Sequence, residues 1–291
     1  MSTPAASSAA LFDNLVDDAA IFPPGNAPMD VAVKAHRELR AGPLDPLVGV
    51  FLCAASRLDE LRAQLRDGDQ LRLGLVVDTG VPGVSAAVSA ATAEPRIALQ
   101  MVEVALQGET ELIAEATVAI TTLAALPTAT RGFVEVPRKP GWRDALGVIA
   151  ATGPGAELGA KLRTGGATAR HFPTAGEVAD FIVTCVEATL PFKCTAGLHR
   201  AVRHTAADTG FEHHGFLNIL LATGAAISGA NRDAIEATLA ERDPAALTAA
   251  LRDVDDATAT QARVHFVSFG TCSVAEPAAD LADLGLLPER R

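Results

Sequence analysis

The stretch Leu158-Gly-Ala-Lys-Leu-Arg163, the run Ala175–Ala188 that follows it, and the stretch Pro191-Phe-Lys-Cys-Thr195 decide the fold. The first and third are largely apolar runs of strand length. The middle run carries apolar residues three and four positions apart, which is typical of a helix with one buried face. Strand, helix and strand in this order predict a βαβ unit with two parallel strands.

The same unit repeats along the chain, because runs of strand length alternate with helix-like runs such as Met29–Arg40, Leu58–Arg66 and Trp142–Ala151. The eight predicted strands are Ala19–Phe22, Leu47–Ala54, Leu71–Val77, Ile97–Ala105, Gly132–Val136, Leu158–Arg163, Pro191–Thr195 and Val264–Phe269. Eight parallel strands joined by helices can close and hide every strand edge. An open doubly wound sheet is the alternative, but no G-x-G-x-x-G follows the first strand. We therefore predict an α/β fold, a (β/α)8 TIM barrel, as a single domain over residues 1–291.

One interval breaks the repeat, between the seventh and eighth predicted strands. It covers about residues 205–260 and contains further predicted helices at Gly215–Gly229, Ala230–Arg242 and Pro244–Leu251. We interpret it as a helical insertion in the barrel and not as a second domain. Its helices either cover the barrel mouth or form a contact in a homo-oligomer, and the sequence leaves both open.

Charge and cysteine content limit the partners and the compartment. The formal net charge of -11 is spread along the chain, and Arg and Lys form no stripe with interleaved aromatics, so nucleic acid is not an expected partner. We also expect no membrane association, because the sequence has neither a secretory signal pattern nor a bilayer-length apolar run. The four cysteines lie far apart without a C-x-x-C pair, which predicts reduced thiols and a cytoplasmic protein.

Charged residues interrupt several of the apolar runs. The carboxyl ends of barrel strands face one mouth, where polar residues indicate a site. The candidate catalytic residues are Asp17, Glu103, Glu135, Lys161, Arg163 and Lys193. Because a lone buried charge is very costly, one interpretation is a structural network of ion pairs. The other is catalysis by the two lysines, since small residues that let a ligand approach follow each of them.

Lys161 and Lys193 lie on neighbouring predicted strands and are expected to face one space. An amine that is partly removed from water and close to other cations loses part of its preference for the protonated form, and the neutral amine attacks a carbonyl to form an imine. We expect Arg163 and Lys193 to have this effect on Lys161, and Glu103 or Glu135 to move protons. We predict neither a metal nor an organic cofactor.

Small and hydroxylated residues after three of the strands predict a site for a small anionic substrate, including a phosphorylated one. The candidate substrate- and phosphate-binding residues are Gly165, Gly166, Thr195, Gly197, His199, Gly270, Thr271 and Ser273. Backbone N–H groups and hydroxyls just before a helix that is predicted to begin near Pro277 suit an anion. A plain turn between a strand and a helix needs small residues too, and that interpretation stays open.

Four histidines crowd the segment after the seventh strand and are the basis of a different hypothesis. They are His199, His204, His213 and His214. Histidines can bind a metal or act as general acids and bases, but this spacing matches no strong metal motif. Of the other histidines, we predict His36 and His171 at the surface and His265 in the last strand.

Taken in order, these motifs resemble the deoxyribose-phosphate aldolase branch of the class I aldolases, a family of (β/α)8 barrels that use a Schiff-base lysine. Asp17-Asp-Ala-Ala-Ile-Phe-Pro23 resembles the family's opening D-H-T-x-L-x-P, and Lys161-x-x-Thr-Gly is similar to its Schiff-base motif. Lys193-x-Thr-x-Gly is similar to its second-lysine strand, and Gly270-Thr-x-Ser273 to its final G-T-S-S phosphate loop. The Lys193–His199 stretch also resembles an uncharacterised family of bacterial barrels.

The resemblance implies that Lys161 forms the imine, that Lys193 is its electrostatic neighbour and that Glu103 stands near the family's acidic residue. It also implies that the final loop, with Gly270, Thr271 and Ser273, binds phosphate. The sequence departs from the pattern where Asp18 replaces a histidine, where Arg163 adds a cation, and in the helical insertion. The resemblance therefore favours the fold more than any particular substrate.

Three functions agree with these observations. The first is a lyase of the class I aldolase type that acts on a small anionic carbonyl compound through an imine. The second is a metal-dependent hydrolase or isomerase that uses the His199–His214 segment. The third is a non-catalytic protein that binds an acidic small molecule.

Overall fold

The computed structural model describes residues 11–108, 111–152 and 157–287, and its centre is a closed barrel of eight parallel strands. The first seven barrel strands are β1 (Val16–Asp18), β2 (Val48–Ala54), β3 (Leu71–Val77), β4 (Ile97–Ala105), β5 (Arg131–Glu135), β6 (Leu158–Arg163) and β7 (Phe192–Thr195). A short antiparallel pair, β8 (His204–Thr205) and β9 (Glu212–His213), precedes the last barrel strand, β10 (Phe266–Thr271). Because β10 pairs with both β7 and β1, the ring is closed. The predicted (β/α)8 TIM barrel is confirmed.

Helices follow the strands and cover the outside of the ring. They are α1 (Met29–Arg40), α2 (Leu58–Gln64), α3 (Val84–Thr92), α4 (Leu112–Leu123), α5 (Trp142–Ala150), α6 (Ala175–Glu187), α7 (Phe216–Ile227), α8 (Arg232–Ala240), α9 (Pro244–Asp253), α10 (Asp256–His265) and α11 (Ala275–Asp283). The start of α6 shows how the sequence sets such a boundary, since Thr174 and Glu177 form a reciprocal capping box. None of the described helices combines the length and the apolar character needed to cross a bilayer.

The helical insertion contains α7 to α10, one helix more than predicted. Asp255 caps the missed helix α10 by accepting a hydrogen bond from the Thr258 N–H at 2.9 Å, and Ala259 and Ala262 lie on its buried side. The helix continues through His265, so β10 begins two residues later than predicted. The prediction for His265 was therefore wrong: it ends a helix, and its Nδ1 lies 3.0 Å from the Gln261 carbonyl oxygen.

The first strand was predicted too late in the chain. It was expected at Ala19–Phe22, but β1 contains two aspartates, and both are buried. A strand tolerates such residues only where their charges have partners. Asp18 Oδ2 lies 2.9 Å from Nδ1 of His36, which is buried on α1 and not at the surface as predicted. The partners of Asp17 belong to the candidate site below.

Two separate apolar regions form the interior. The larger one lies between the strands and the surrounding helices. The smaller one lies inside the ring, where Val50, Leu52, Met101 and Phe133 pack together. The four cysteines are free thiols, of which Cys272 alone is not fully buried. The interior of the ring is therefore only partly apolar, and charged side chains occupy the rest of it.

Candidate active site

Six charged side chains inside the barrel form a row of alternating sign, which we call the ion chain. In spatial order its members are Asp17, Lys193, Glu103, Lys161, Glu135 and Arg163. These are the six candidate catalytic residues from the sequence, and the structure brings all of them together. Strand register explains part of the order, because Lys193 pairs with Lys161 across β7 and β6, and Lys161 pairs with Glu135 across β6 and β5.

Lys193 lies on one side of Glu103 and is closed off from solvent. Its Nζ donates hydrogen bonds to Asp17 Oδ2 at 2.7 Å and to Glu103 Oε1 at 2.5 Å, and it lies 3.1 Å from Met101 Sδ. The Nζ atom also lies 5.6 Å from the centre of the Phe133 ring. The side chain of Lys193 is 0% exposed. Solvent and small molecules therefore have no direct path to this amine in the described conformation.

Asp17 is fixed by two hydrogen bonds besides its ion pair with Lys193. Its Oδ2 accepts a hydrogen bond from Ser268 Oγ at 2.6 Å, and its Oδ1 accepts one from the Val50 N–H at 3.0 Å. The second bond requires glycine at position 49, because a Cβ there would lie 2.2 Å from Asp17 Oδ1. The close approach of β2 to Asp17 therefore orients the carboxylate toward Lys193.

Lys161 lies on the other side of Glu103 and is held less firmly. Its Nζ is 2.6 Å from Glu103 Oε2 and 3.0 Å from Glu135 Oε2, and its side chain is 6% exposed. Among the residues that the structure describes, no donor makes a hydrogen bond of normal geometry to the buried Glu103 Oε2. Lys161 is thus held mainly by charge, whereas Lys193 also makes directed hydrogen bonds.

The ion chain runs from one end of the barrel toward the other. Glu135 and Arg163 are the last residues of β5 and β6, so they mark the carboxyl-terminal mouth. Arg163 Nε donates to Glu135 Oε1 at 2.7 Å, and its side chain is 45% exposed. Asp17, at the opposite end of the ion chain, lines a cavity at the amino-terminal ends of the strands. Lys161 is therefore the amine nearer to the carboxyl-terminal mouth.

The two lysines are protonated in this arrangement. Burial lowers the pKa of Lys161, but the carboxylates of Glu103 and Glu135 outweigh burial and raise the pKa above its ordinary value of 10.5. Burial acts on the pKa of Lys193 in the same way, and Asp17 and Glu103 again outweigh it, so this pKa is raised as well. The expected lowering of the Lys161 pKa was wrong, because Arg163 pairs with Glu135 and two carboxylates lie within 3.0 Å of the Lys161 amine.

The pKa values of the carboxylates Glu103 and Glu135 shift in the opposite direction. Burial raises the pKa of Glu103, but the ammonium groups of Lys161 and Lys193 outweigh it and hold the pKa at about 2. Burial likewise raises the pKa of Glu135, and Lys161 and Arg163 outweigh it, so this pKa is also lowered. Three carboxylates thus balance three cations, which makes the buried row electrically neutral as a whole.

The glycines predicted to bind substrate pack against protein atoms. A Cβ at Gly165 would lie 2.7 Å from the Cα of Gly197, which has a φ of +74°, so the loops after β6 and β7 touch through their backbones. A Cβ at Gly166 would lie 2.4 Å from His171 Nδ1. Thr195, the last residue of β7, is half-buried, and its Oγ1 would lie 3.9 Å from a Cβ at Gly270. Of these positions, Thr195 and Gly270 face the interior near the mouth.

The loop after β10 differs from a simple anion-binding turn. Thr271 Oγ1 accepts a hydrogen bond from the Ser273 N–H at 3.4 Å and lies 3.3 Å from His199 Nδ1. The same nitrogen of His199 lies 2.8 Å from Glu276 Oε2, in the first turn of α11. A carboxylate therefore already lies at the helix end where the sequence predicted a phosphate.

The remaining histidines of the 199–214 segment have separate partners. His213 Nδ1 lies 3.1 Å from the Gly197 carbonyl oxygen, and its ring stacks on that of His204. His214 is buried with Nε2 2.8 Å from the Pro173 carbonyl oxygen, and burial lowers its pKa to about 4. Within the described ranges, no group of three or more His, Cys, Asp or Glu side chains is arranged to hold a metal ion.

The sequence analysis missed a cluster of positive charge beside Arg163 at the mouth. Arg138 follows β5 closely, and Arg170 and His171 follow β6. Arg138 donates a hydrogen bond to the Arg170 carbonyl oxygen. Burial lowers the pKa of His171, and the guanidinium groups of Arg163, Arg170 and Arg138 lower it further. The signal in the sequence was their position just after two neighbouring strands. The cluster places three guanidinium groups next to Lys161, of which Arg138 pairs with Glu177 at 2.9 Å and Arg163 with Glu135 at 2.7 Å.

In comparisons with known proteins, no family model, no curated protein and no solved structure matches this chain. The function is therefore argued from the geometry of the ion chain and from the short motifs in the sequence.

Proposed function

We propose that the protein is a lyase of the class I aldolase type, in which Lys161 forms an imine with a small anionic carbonyl compound. One observation carries the proposal: Lys161 and Lys193 share Glu103, but only Lys161 faces the carboxyl-terminal mouth and retains some exposure. Active sites of (β/α)8 barrels lie at this mouth. The order of the motifs around Asp17, Lys161 and Lys193, which resembles the deoxyribose-phosphate aldolase branch, supports the same assignment.

The resting ammonium of Lys161 must first lose a proton. Glu103 and Glu135 are the bases within reach, at 2.6 Å and 3.0 Å from Nζ. A carbonyl group that enters between Lys161 and the mouth weakens these ion pairs and takes the place of one carboxylate beside the amine. The neutral Nζ then attacks the carbonyl carbon, the carbonyl oxygen takes up a proton, and loss of water leaves a protonated imine.

The imine then accepts electrons from the adjacent carbon–carbon bond. In the cleavage direction a carboxylate removes the proton of a β-hydroxyl group, the carbon–carbon bond breaks, and its electron pair converts the imine into an enamine. The hydroxyl carbon leaves as an aldehyde. Protonation of the enamine carbon and attack by water release the second product and regenerate the Lys161 amine. In this scheme Glu103 and Glu135 accept protons from the reacting groups and return them, and Lys193 stabilises the charge on Glu103.

The cations at the mouth support an anionic substrate. Arg163, Arg170 and Arg138 lie around His171, on the side of the mouth formed by β5 and β6. Guanidinium groups bind carboxylates and phosphates with paired hydrogen bonds. Arg138 and Arg163 already pair with Glu177 and Glu135, so the anionic group of the substrate would pair first with the exposed Arg170. We place it here and not in the loop after β10, where Glu276 would repel it.

Borohydride trapping tests the proposal. The protein is incubated with a panel of small aldehydes and ketones that carry a carboxylate or phosphate, reduced with sodium borohydride, and mapped by mass spectrometry. We expect a stable adduct on Lys161 in the wild type and none on this peptide in Lys161→Met. The exposed Lys34 and Lys139 provide the background level. No adduct on Lys161 above that level across the panel would exclude the imine mechanism.

The charge balance of the ion chain favours a second candidate, a non-catalytic protein that binds an acidic small molecule. Each lysine lies between two carboxylates, which keeps it protonated and unreactive. A ligand of this kind would raise the melting temperature without turnover. Equal ligand-induced shifts in the wild type and in Lys161→Met would favour the binding protein, whereas loss of the shift together with the adduct favours the lyase.

A further inference from the structure

A cavity lies at the opposite end of the barrel from the Lys161 mouth. It has a volume of about 570 Å³ and is lined by residues at the amino-terminal ends of the strands, among them Asn14, Arg72, Arg131 and Val267. This volume is within the range of small-molecule sites, roughly 300–1,000 Å³. The loops at this end of a (β/α)8 barrel ordinarily serve stability. A cavity of this size therefore requires an explanation of its own.

Two arginines lie on either side of the segment that enters β1. Arg72 donates to Asn14 Oδ1 at 2.9 Å, and Arg263 donates to the Asp13 carbonyl oxygen at 3.0 Å. Both guanidinium groups line the cavity. Their hydrogen bonds to described residues go to neutral oxygens, and among those residues neither forms an ion pair with a carboxylate. The buried Nε of Arg72 has no hydrogen-bond partner in the described part of the chain.

The other charged groups at the cavity do not neutralise these two arginines. Arg131 pairs with Glu157 at 3.3 Å, and Asp17 is bound to Lys193. The exposed Asp13 also lines the cavity but forms no ion pair with Arg72 or Arg263. Burial lowers the pKa of Arg72. Burial also lowers the pKa of Arg263 to about 10, although Asp17 and Asp13 act in the opposite direction. Two cations are thus held in a partly desolvated place at a cost that a bound anion would offset.

One wall of the cavity is apolar. Met101 and Val267 form its inner surface and pack in one cluster with the fully buried Phe133, and Val264 lies at the rim. Val264 is 49% exposed. A ligand that fits such a place has an anionic head for the arginines and an apolar body for this wall.

We propose that this amino-terminal cavity binds a small organic anion with an apolar or aromatic body, such as an aryl carboxylate or aryl phosphate. The site is separate from the Lys161 mouth, and it does not depend on the proposed lyase activity. Arg72 and Arg263 bind the anionic head, and Met101 and Val267 contact the body.

Titration calorimetry at low ionic strength tests the site, with benzoate and phenyl phosphate as probes and benzyl alcohol as the neutral probe. We expect both anions to bind in the millimolar range or tighter, which suits ligands of this size, and benzyl alcohol to bind at least about fivefold more weakly. Neither arginine is replaced at first, because Arg72 also binds the Val48 and Gly49 carbonyl oxygens and its loss would disturb β2.

The variant Val264→Glu adds a negative charge at the rim and leaves the arginine contacts intact. We expect it to weaken benzoate binding at least about fivefold, while the matched neutral variant Val264→Gln and the remote variant Val118→Glu retain wild-type affinity. Val118 is 57% exposed on α4, which makes it a control for added charge alone. A wild type that binds neither anion would overturn the proposal, as would equal affinity in Val264→Glu and Val264→Gln. Lys161→Met should bind benzoate as the wild type does, so failure of the imine proposal leaves this result unaffected.

Discussion

Lys193 and Lys161 lie side by side on adjacent strands and share one carboxylate, yet their surroundings differ. Lys193 is enclosed by Met101, Phe133 and Asp17 and is 0% exposed. Lys161 lies nearer to the carboxyl-terminal mouth, is 6% exposed, and is bound mainly by charge. The same residue type at paired positions thus has two environments: Lys193 is enclosed, and Lys161 lies toward the mouth.

Removal of Lys193 should have the largest effect on stability. Lys193→Met leaves Asp17 without its cation and Glu103 with only Lys161, in a place that water does not reach. We expect a loss of about 3–5 kcal/mol in the free energy of unfolding, as is typical when one partner of a buried pair is deleted. Urea unfolding at pH 7 measures it. Lys34→Met, at a lysine that is 72% exposed, is the control and should match the wild type.

Removal of Lys161 should cost less stability. In Lys161→Met, Glu103 keeps Lys193 and Glu135 keeps Arg163, so each carboxylate retains one cation. We expect a loss of about 1–3 kcal/mol by the same unfolding measurement, the usual range for a buried polar group that loses a partner. A loss equal to or larger than that of Lys193→Met would show that the two lysines do not differ in the way described.

The ion chain also predicts how stability depends on pH. The pKa of Glu103 is lowered from 4.5 to about 2, so its contribution is fully present above about pH 4.5 and is lost as the pH falls toward 2. The pKa values of both lysines are raised, so their contribution is fully present below about pH 10.5 and is lost at higher pH. Wild-type protein should therefore lose more stability than Glu103→Gln between pH 5 and pH 3, measured by urea unfolding. Parallel pH profiles would contradict this.

The smallest effect is expected at the exposed end of the row. Arg163→Gln removes a side chain that is 45% exposed, and Glu135 keeps Lys161 as a partner. We expect a loss below about 1 kcal/mol in the free energy of unfolding, because solvent screens such pairs. In the same variant, a higher concentration of an anionic carbonyl compound should be needed to saturate any borohydride adduct, since a cation is lost at the mouth. Unchanged concentration dependence would place the anionic group of the substrate elsewhere.

Most of the barrel was predictable because its strands are apolar runs between amphipathic helices. The prediction failed where polar residues occupy regular structure. β1 contains Asp17 and Asp18, whose partners Lys193 and His36 lie far along the chain, so the local sequence gives no reason for a strand there. The helix α10 is rich in Ala and Thr and has only a narrow apolar face, which is why its cap at Asp255 was the better signal.

The members of the candidate site were predictable, but their electrostatics were not. Charged residues within or beside apolar runs identified all six members of the ion chain. The prediction that cations surround Lys161 was wrong because the order of charges depends on strand register and side-chain reach, which bring Glu103 between the lysines. The arginines of the amino-terminal cavity were not predicted from the sequence, for a related reason. Arg72 lies near the start of β3 and Arg263 in the last turn of α10, and their shared cavity exists only in three dimensions.

Lysine titration by nuclear magnetic resonance tests the ion chain most directly, because the whole protein has only four lysines. The Cε resonances of isotopically labelled lysine are followed with rising pH in the wild type and in Glu103→Gln. We expect the Lys161 and Lys193 resonances to titrate above those of the exposed Lys34 and Lys139, and both to titrate at lower pH in Glu103→Gln. A wild-type Lys161 or Lys193 resonance that titrates below the exposed lysines would contradict a row of alternating charges centred on Glu103.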